Sequence, residues 1–199
     1  YKPTHIGKNI VIKPSWEEYK AKTPDEIVIE LDPGMAFGTG THESTVLCLE
    51  ILENYMKRDF TVIDVGCGSG ILSIACGKLG AKKVLAIDKD ETAVKVATDN
   101  MKRNNLGNSV KVVKGDKLHG VDFKADIIVA NIIADVIIDI TKDVGLYLKD
   151  GGVFISSGII KDRKLSVIEA MERNGLDLIQ QFEKGEWVAL VSAQAPICS

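Results

Sequence analysis

Apolar residues along the chain alternate between two periods. Short runs rich in Val, Ile and Ala, "TVIDV" (61–65), "KVLAID" (83–88), "VKVVKGD" (110–116), "ADIIVAN" (125–131) and "GGVFISSG" (151–158), have the composition of strands buried on both faces. Between them the apolar positions recur at helical spacing. From Glu43, Val46, Leu47, Leu49, Leu52 and Tyr55 form one stripe. "GILSIACGKLG" reads as a helix ending at a glycine cap. "DETAVKVATDNMKRNN" starts on Asp90 as N-cap and stops between Asn105 and Gly107. "ADVIIDITKDVGLYL" and "DRKLSVIEAMERNG" complete the helices, and "LDLIQQFEKGEWVALVSA" reads as a hairpin turning at Lys184-Gly185. Strands and helices in this order predict right-handed βαβ units. The expected fold is α/β: a doubly wound, seven-stranded, mostly parallel sheet with an antiparallel C-terminal hairpin.

Residues 1–26 break the pattern. Pro3, Pro14 and Pro24 lie there, and "IVIKP" and "EIVIEL" read as two short strands around a polar "SWEEYKAKTPD" connection. The expected organisation is a linker or tail over 1–26, belonging to an upstream part, a main unit over 27–193 and a tail over 194–199.

Composition narrows the class without naming a function. Of 199 residues, 45% are apolar and 27% charged, the balance of a globular protein. A net charge of −3 supplies no global basic field for nucleic acid or an anionic membrane. The most apolar run, "ADIIVANIIADVIIDI", is interrupted by Asp126, Asn131, Asp135 and Asp139 and reads as no membrane span. Cys48, Cys67, Cys76 and Cys198 form no Cys-x-x-Cys pair, so a reducing, cytoplasmic setting is expected, with neither disulfide frame nor metal site.

Chemistry concentrates at the strand ends. "VIDVGCGSG" places Asp64, Gly66, Gly68 and Gly70 between the carboxyl end of a strand and the start of a helix, where open α/β sheets bind ligands. Glycines there let the backbone turn sharply and approach a ligand, and the helix N-terminus offers N–H groups to a carboxylate. The spacing is G-x-G-x-G, shorter than the G-x-G-x-x-G of a dinucleotide site, and Asp64 repels a pyrophosphate but attracts an ammonium. A ligand carrying both carboxylate and amine fits: the amino-acid end of S-adenosylmethionine. Asp88 ends the second strand about twenty residues on, where an acid accepts from ribose hydroxyls. Asp116, closing "KGD", is placed to meet the adenine amino group at the crevice floor. The competing reading makes the glycines a tight turn and the acids helix caps.

"VANIIAD" carries Asn131 at the end of the fourth strand. A buried asparagine needs partners, since an unpaired amide costs about 1–3 kcal/mol. Its carbonyl oxygen is expected to accept from an incoming amine and align the nitrogen lone pair with a methyl group activated by positive sulfur. The competing role is a cap of the following helix. His42 reads as a helix-start residue bonded within its own loop, and Trp16 and Trp187 as packing side chains.

Taken together, "DPGMAFGTGTHEST", "VIDVGCGSGILSIA", "AIDKDETAV", "DNMKRN" and "IIVANIIADV" resemble the ribosomal protein L-eleven methyltransferases, the PrmA family, in order from about Ile27 to Val191. The resemblance implies a Rossmann-like class I methyltransferase in the bacterial cytoplasm. It implies S-adenosylmethionine as donor and S-adenosylhomocysteine as product. Its substrate would be a large-subunit ribosomal protein, methylated on its N-terminal α-amine and lysine side chains. Carried over by position, the cofactor contacts are Thr45, Gly66, Asp88 and Asn131. The family's His-Pro-Thr-Thr reads here His42-Glu43-Ser44-Thr45, so the Thr45 hydroxyl survives while the helix start changes, with Ser44 a candidate cap. The resemblance also implies an upstream substrate-recognition domain. Phe37, with Met35, is expected to shield the methyl group from water. The alternatives are a class I methyltransferase for a small molecule or RNA, and, from another class, a nucleotide-binding dehydrogenase or noncatalytic ligand-binding domain.

Overall fold

Three short strands, β1 (Thr4–Ile6), β2 (Ile10–Lys13) and β3 (Ile27–Glu30), open the chain as a small sheet in the order β1-β2-β3. This computed structural model describes residues 2–34 and 42–196. Strand β1 lacks a sequence signal because it spans three residues, of which only Ile6 is buried. Ile6, Ile10, Ile12 and Ile29 join the core of the main unit, so the segment packs on it rather than trailing away. Glu53 accepts from the backbone of Lys8 and Asn9 (2.9 and 2.7 Å), and Asn104 clamps Glu30 through its N–H and carbonyl (2.9 and 3.0 Å). Asp32 receives Ser15 N–H and hydroxyl and Arg103, which together hold its carboxyl below the usual range.

The main unit follows as α1 (Glu43–Tyr55), β4 (Thr61–Val65), α2 (Ile71–Lys78), β5 (Lys83–Asp88), α3 (Glu91–Arg103), β6 (Val110–Lys114) and β7 (Ala125–Asn131). It closes with α4 (Ala134–Val144), β8 (Leu148–Ile160), α5 (Lys164–Arg173), β9 (Leu176–Lys184) and β10 (Trp187–Gln194). Seven strands lie in the order β6-β5-β4-β7-β8-β10-β9. Of the seven strands β10 alone is reversed in direction, pairing antiparallel with both β8 and β9. The doubly wound sheet with its terminal hairpin is the fold expected from the sequence.

Alternation along the central strands separates two cores. Val62, Val84, Ile127 and Val129 face α1, α2 and α3, whereas Ile63, Ile87, Ile128 and Phe154 face α4 and α5. Burying one such Val, Ile or Leu contributes about 1.5–3 kcal/mol. Two boundaries differ from the sequence expectation. Helix α4 ends at Val144, with Gly145 as C-cap, and Leu148 already belongs to β8. Gly151, at φ +78°, and Gly152 lie inside that long strand rather than at its start. A Cβ on Gly152 would meet backbone oxygens of Lys149, Asp126 and Ala125 at 2.9–3.1 Å, so glycine permits the close passage of β8 beside β7. Among the described residues, no helix is long and apolar enough to cross a membrane.

Candidate active site

The strand order reverses between β4 and β7, and parallel pairing brings their carboxyl ends level, Val65 opposite Ala130. A crevice of about 560 Å³ opens there. Its lining includes Thr45, Asp64, Gly66, Gly68, Asp88, Asp116 and Asn131. These seven residues singled out from the sequence therefore meet in one place; Phe37, like Met35, Gly38 and Gly40, lies outside the described residues.

The glycine turn is held by the strand beside it. Gly66 and Cys67 donate to the Ile87 carbonyl at 2.8 and 2.9 Å, and Gly68 donates to Asp88 Oδ2 at 2.9 Å. Asp88 Oδ1 receives the Asp90 N–H at 2.9 Å. Each oxygen of this half-buried carboxylate thus uses one lone pair on the backbone and keeps another for a ligand. Capping of α3 falls to Asp90, which accepts from Thr92, so Asp88 is not the helix cap. Gly66 has φ +70°, and a Cβ there would sit 2.5 Å from Ile132 Cγ2. Gly70, at φ +86°, starts α2 without a side-chain cap, leaving the helix N-terminus directed at the crevice.

Asp64 is 1% exposed, and its Oδ2 accepts from the Ser73 hydroxyl at 2.7 Å. Burial pushes its pKa up to about 7; Ser73 opposes the shift and the negative charge of Asp88 adds to it. No salt bridge reaches Asp64 among the described residues. The folded protein therefore keeps this proton up to about 7, while the unfolded chain releases it near the usual 3.8. Between those values the folded state binds more protons, and stability falls as pH rises. Asp64→Asn is expected to melt higher than wild type at pH 8 without ligand, by roughly 5 °C. That advantage shrinks towards pH 5. Equal melting of the two proteins at pH 8 would show that ionising Asp64 costs the fold nothing.

Asn131 closes β7 at the other side of the crevice. Its Nδ2 donates to Thr45 Oγ1 at 3.1 Å, and the cap position of α4 is Ile133. The alternative role as a helix cap is thereby excluded. Thr45 is 1% exposed on α1, whose N-cap is His42 rather than Ser44. The His42 Nδ1 accepts the Ser44 N–H at 3.2 Å and lies 2.7 Å from Ser44 Oγ, the contact within its own loop that the sequence suggested. Glu43 is an exposed acid in the first turn of α1.

Asp116 stands at the rim rather than on the floor. Its side chain is 58% exposed and faces His119 at 3.8 Å. Gly115 N–H bonds to the Asp88 carbonyl at 3.0 Å and brings the segment to the crevice. Sequence reasoning passed over Ser73, Ser157, Gly158 and the crevice position of Trp187. Trp187 meets His42 edge to face, with centroids 4.9 Å apart. Ser73 sits on the buried face of α2, and "SSG" ends an apolar run as "AN" does, so both carried a weak positional signal. Trp16 is 59% exposed and does not pack in the core. Cys48, Cys67 and Cys76 are buried, and burial pushes the Cys48 thiol up to about 12, away from reactivity.

Known proteins resemble this chain in sequence and fold. The family model described as ribosomal protein L11 methyltransferase (PrmA) matches residues 1–195. The ribosomal protein L11 methyltransferase of Thermoanaerobacter pseudethanolicus is 58% identical over 192 residues, covering 96% of this chain and 61% of the relative. That of Alkaliphilus oremlandii is 53% identical with the same coverage. The chain thus spans 61% of the length of these curated relatives. Among solved structures, the ribosomal protein L11 methylase of Lactobacillus delbrueckii subsp. bulgaricus superposes with a TM-score of 0.92 at 35% identity, covering 98% of this chain and 100% of that one. A precorrin-6y C5,15-methyltransferase from Geobacter metallireducens, 19% identical with a TM-score of 0.64 over 78% of this chain and 90% of that one, shares the fold alone.

Proposed function

The chain belongs to the PrmA family of ribosomal protein L11 methyltransferases, and from that premise we propose that it transfers methyl groups from S-adenosylmethionine to amino groups of a large-subunit ribosomal protein. The N-terminal α-amine and lysine side chains are the proposed acceptors. One observation carries the reading. A buried carboxyl, Asp64, without a cationic partner among the described residues, and an asparagine held by a neighbouring hydroxyl, Asn131, face the same crevice at the sheet's switch point.

The crevice fits the donor on chemical grounds. Asp64 offers a buried oxygen to an ammonium, directly or through water, and an ammonium there favours its ionised form. The α2 N-terminus and the turn at Gly66 and Gly68 receive a carboxylate. Asp88 uses its remaining lone pairs for the ribose hydroxyls, and Asp116 approaches the adenine edge from the rim. Thr45 and Asn131 line the crevice beside β7 and would hold the methyl-bearing end of the donor. The bound donor supplies a methyl group already activated by positive sulfur.

The chain's own residues have little acid–base chemistry to perform. Placement supplies most of the rate enhancement. Asn131 Oδ1 accepts an N–H of the incoming neutral amine and turns its lone pair towards the methyl group. The acceptor must shed a proton first, because lysine's reference pKa is ~10.4. Trp187 and Ile132 line the crevice and would help keep water from the reacting atoms.

Isothermal titration calorimetry tests the donor assignment. S-adenosylmethionine and S-adenosylhomocysteine are expected to bind and NAD to give no heat; the reverse pattern favours the dehydrogenase reading. Labelled donor incubated with ribosomal protein L11 and with ribosomal RNA tests the acceptor. Label on RNA alone would replace the protein substrate by a nucleic acid.

A further inference from the structure

Gly158 lies on β8 across from the end of β7, with φ at +81°. A Cβ on it would stand 2.9 Å from Asn131 Oδ1, 2.7 Å from the Ile132 carbonyl oxygen and 3.1 Å from the Ile132 nitrogen. Two of these atoms are backbone, and the third is the proposed acceptor of the incoming amine. The two backbone atoms cannot swing aside, so the Asn131 amide is the group that must yield. The left-handed backbone adds a second reason for glycine at this position.

The surrounding bonds fix which way the Asn131 amide points. Its nitrogen is drawn to Thr45 Oγ1 on α1, at 3.1 Å, so its oxygen turns away from that hydroxyl. Ser157 sets the spacing of the elements that hold it. Its carbonyl accepts the Ile132 N–H at 3.1 Å, and its buried hydroxyl donates to the Ser44 carbonyl at 2.9 Å. Strands β7 and β8 and helix α1 are thus tied together within three residues of the amide. Gly158, next in the chain, leaves the oxygen side of Asn131 uncrowded.

We propose that Gly158 is a positioning residue for methyl transfer, its bare Cα holding space beside Asn131 Oδ1 so that the acceptor amine meets a carbonyl oriented by Thr45. The proposal rests on the methyltransferase reading and acts within it. Gly158 lines the crevice and acts through Asn131.

The test uses the full-length protein with Gly158→Ala, Thr45→Val and Thr45→Ser variants, and reads three quantities. Calorimetry gives donor affinity, single turnover at saturating donor gives the transfer rate to ribosomal protein L11, and NMR follows the Asn131 side-chain amide without ligand. Gly158→Ala is expected to hold donor affinity within about 3-fold while transfer falls about 10²-fold, the scale of an ångström-sized misplacement. The Asn131 amide resonances shift in Gly158→Ala and Thr45→Val and stay near their wild-type positions in Thr45→Ser. Wild-type transfer by Gly158→Ala overturns the proposal, as does a loss of donor affinity equal to the loss of rate. Should Gly158→Ala fail to fold, Thr45→Val decides: unmoved amide resonances and an unchanged rate at saturating donor overturn it. A wild-type protein that binds donor but methylates no ribosomal protein refutes the substrate assignment alone, because the amide resonances still report the positioning.

Discussion

Replacing Asn131 by alanine is expected to cut methyl transfer by about 10²–10³-fold, the scale of losing one preorganised polar contact at a reacting centre. Donor affinity should change far less. The argument is geometric. Asn131 is the residue at the end of β7 whose amide is fixed by Thr45, so its carbonyl needs no reorientation when the amine arrives. Alanine removes that acceptor and also leaves Thr45 Oγ1, on a residue 1% exposed, without its donor. An unpaired buried group costs about 1–3 kcal/mol, so a modest drop in melting temperature accompanies the kinetic loss. Single-turnover transfer at saturating donor separates the two effects, because a stability defect alone leaves the rate per folded molecule intact. Unchanged single-turnover rates would remove Asn131 from the chemistry.

The second large effect concerns Asp88. Asp88→Ala is expected to weaken donor binding by about 10²-fold, from the loss of two charge-assisted hydrogen bonds at roughly 1.5–3 kcal/mol each, partly offset by water. The carboxylate also stitches Gly68 and Asp90 to the end of β5, so the substitution loosens the glycine turn as well. Asp88→Asn separates these roles. An amide retains one accepting oxygen for the backbone but loses the charge and the symmetric pair of acceptors that a diol requires. Its expected affinity lies between wild type and alanine. Calorimetry with S-adenosylhomocysteine gives both values, and an alanine variant that binds as wild type does would sink the ribose assignment.

In the proposed donor site, Asp64 would trade stability for binding. An apolar strand would gain from a neutral residue at this position, and the carboxyl pushed up to about 7 costs the ligand-free fold stability as pH rises from the usual 3.8 to that value. Functional sites are where local preference and fold stability part company. In the proposed donor complex the same burial would give the ammonium a partner that little water competes for.

Periodicity alone determined the fold class of this chain. Continuous apolar strands such as "ADIIVAN" can be buried only between two helical layers, and that constraint is written in residue order. The positions of Asp64, Gly66, Asp88 and Asn131 were likewise legible, because each follows a strand and parallel strands bring their ends together. Boundaries set by close packing were not: α4 stops at Gly145, and β8 passes its own glycines, because those limits depend on a neighbouring backbone. Nor could the sequence show that Thr45 meets Asn131, 86 residues away, or that a Cβ at position 158 would press on the same amide. Residue order states which groups reach the crevice. Only the packing of α1 and β8 against the end of β7 decides which way they face, since side-chain orientation is set by contacts distant in the chain.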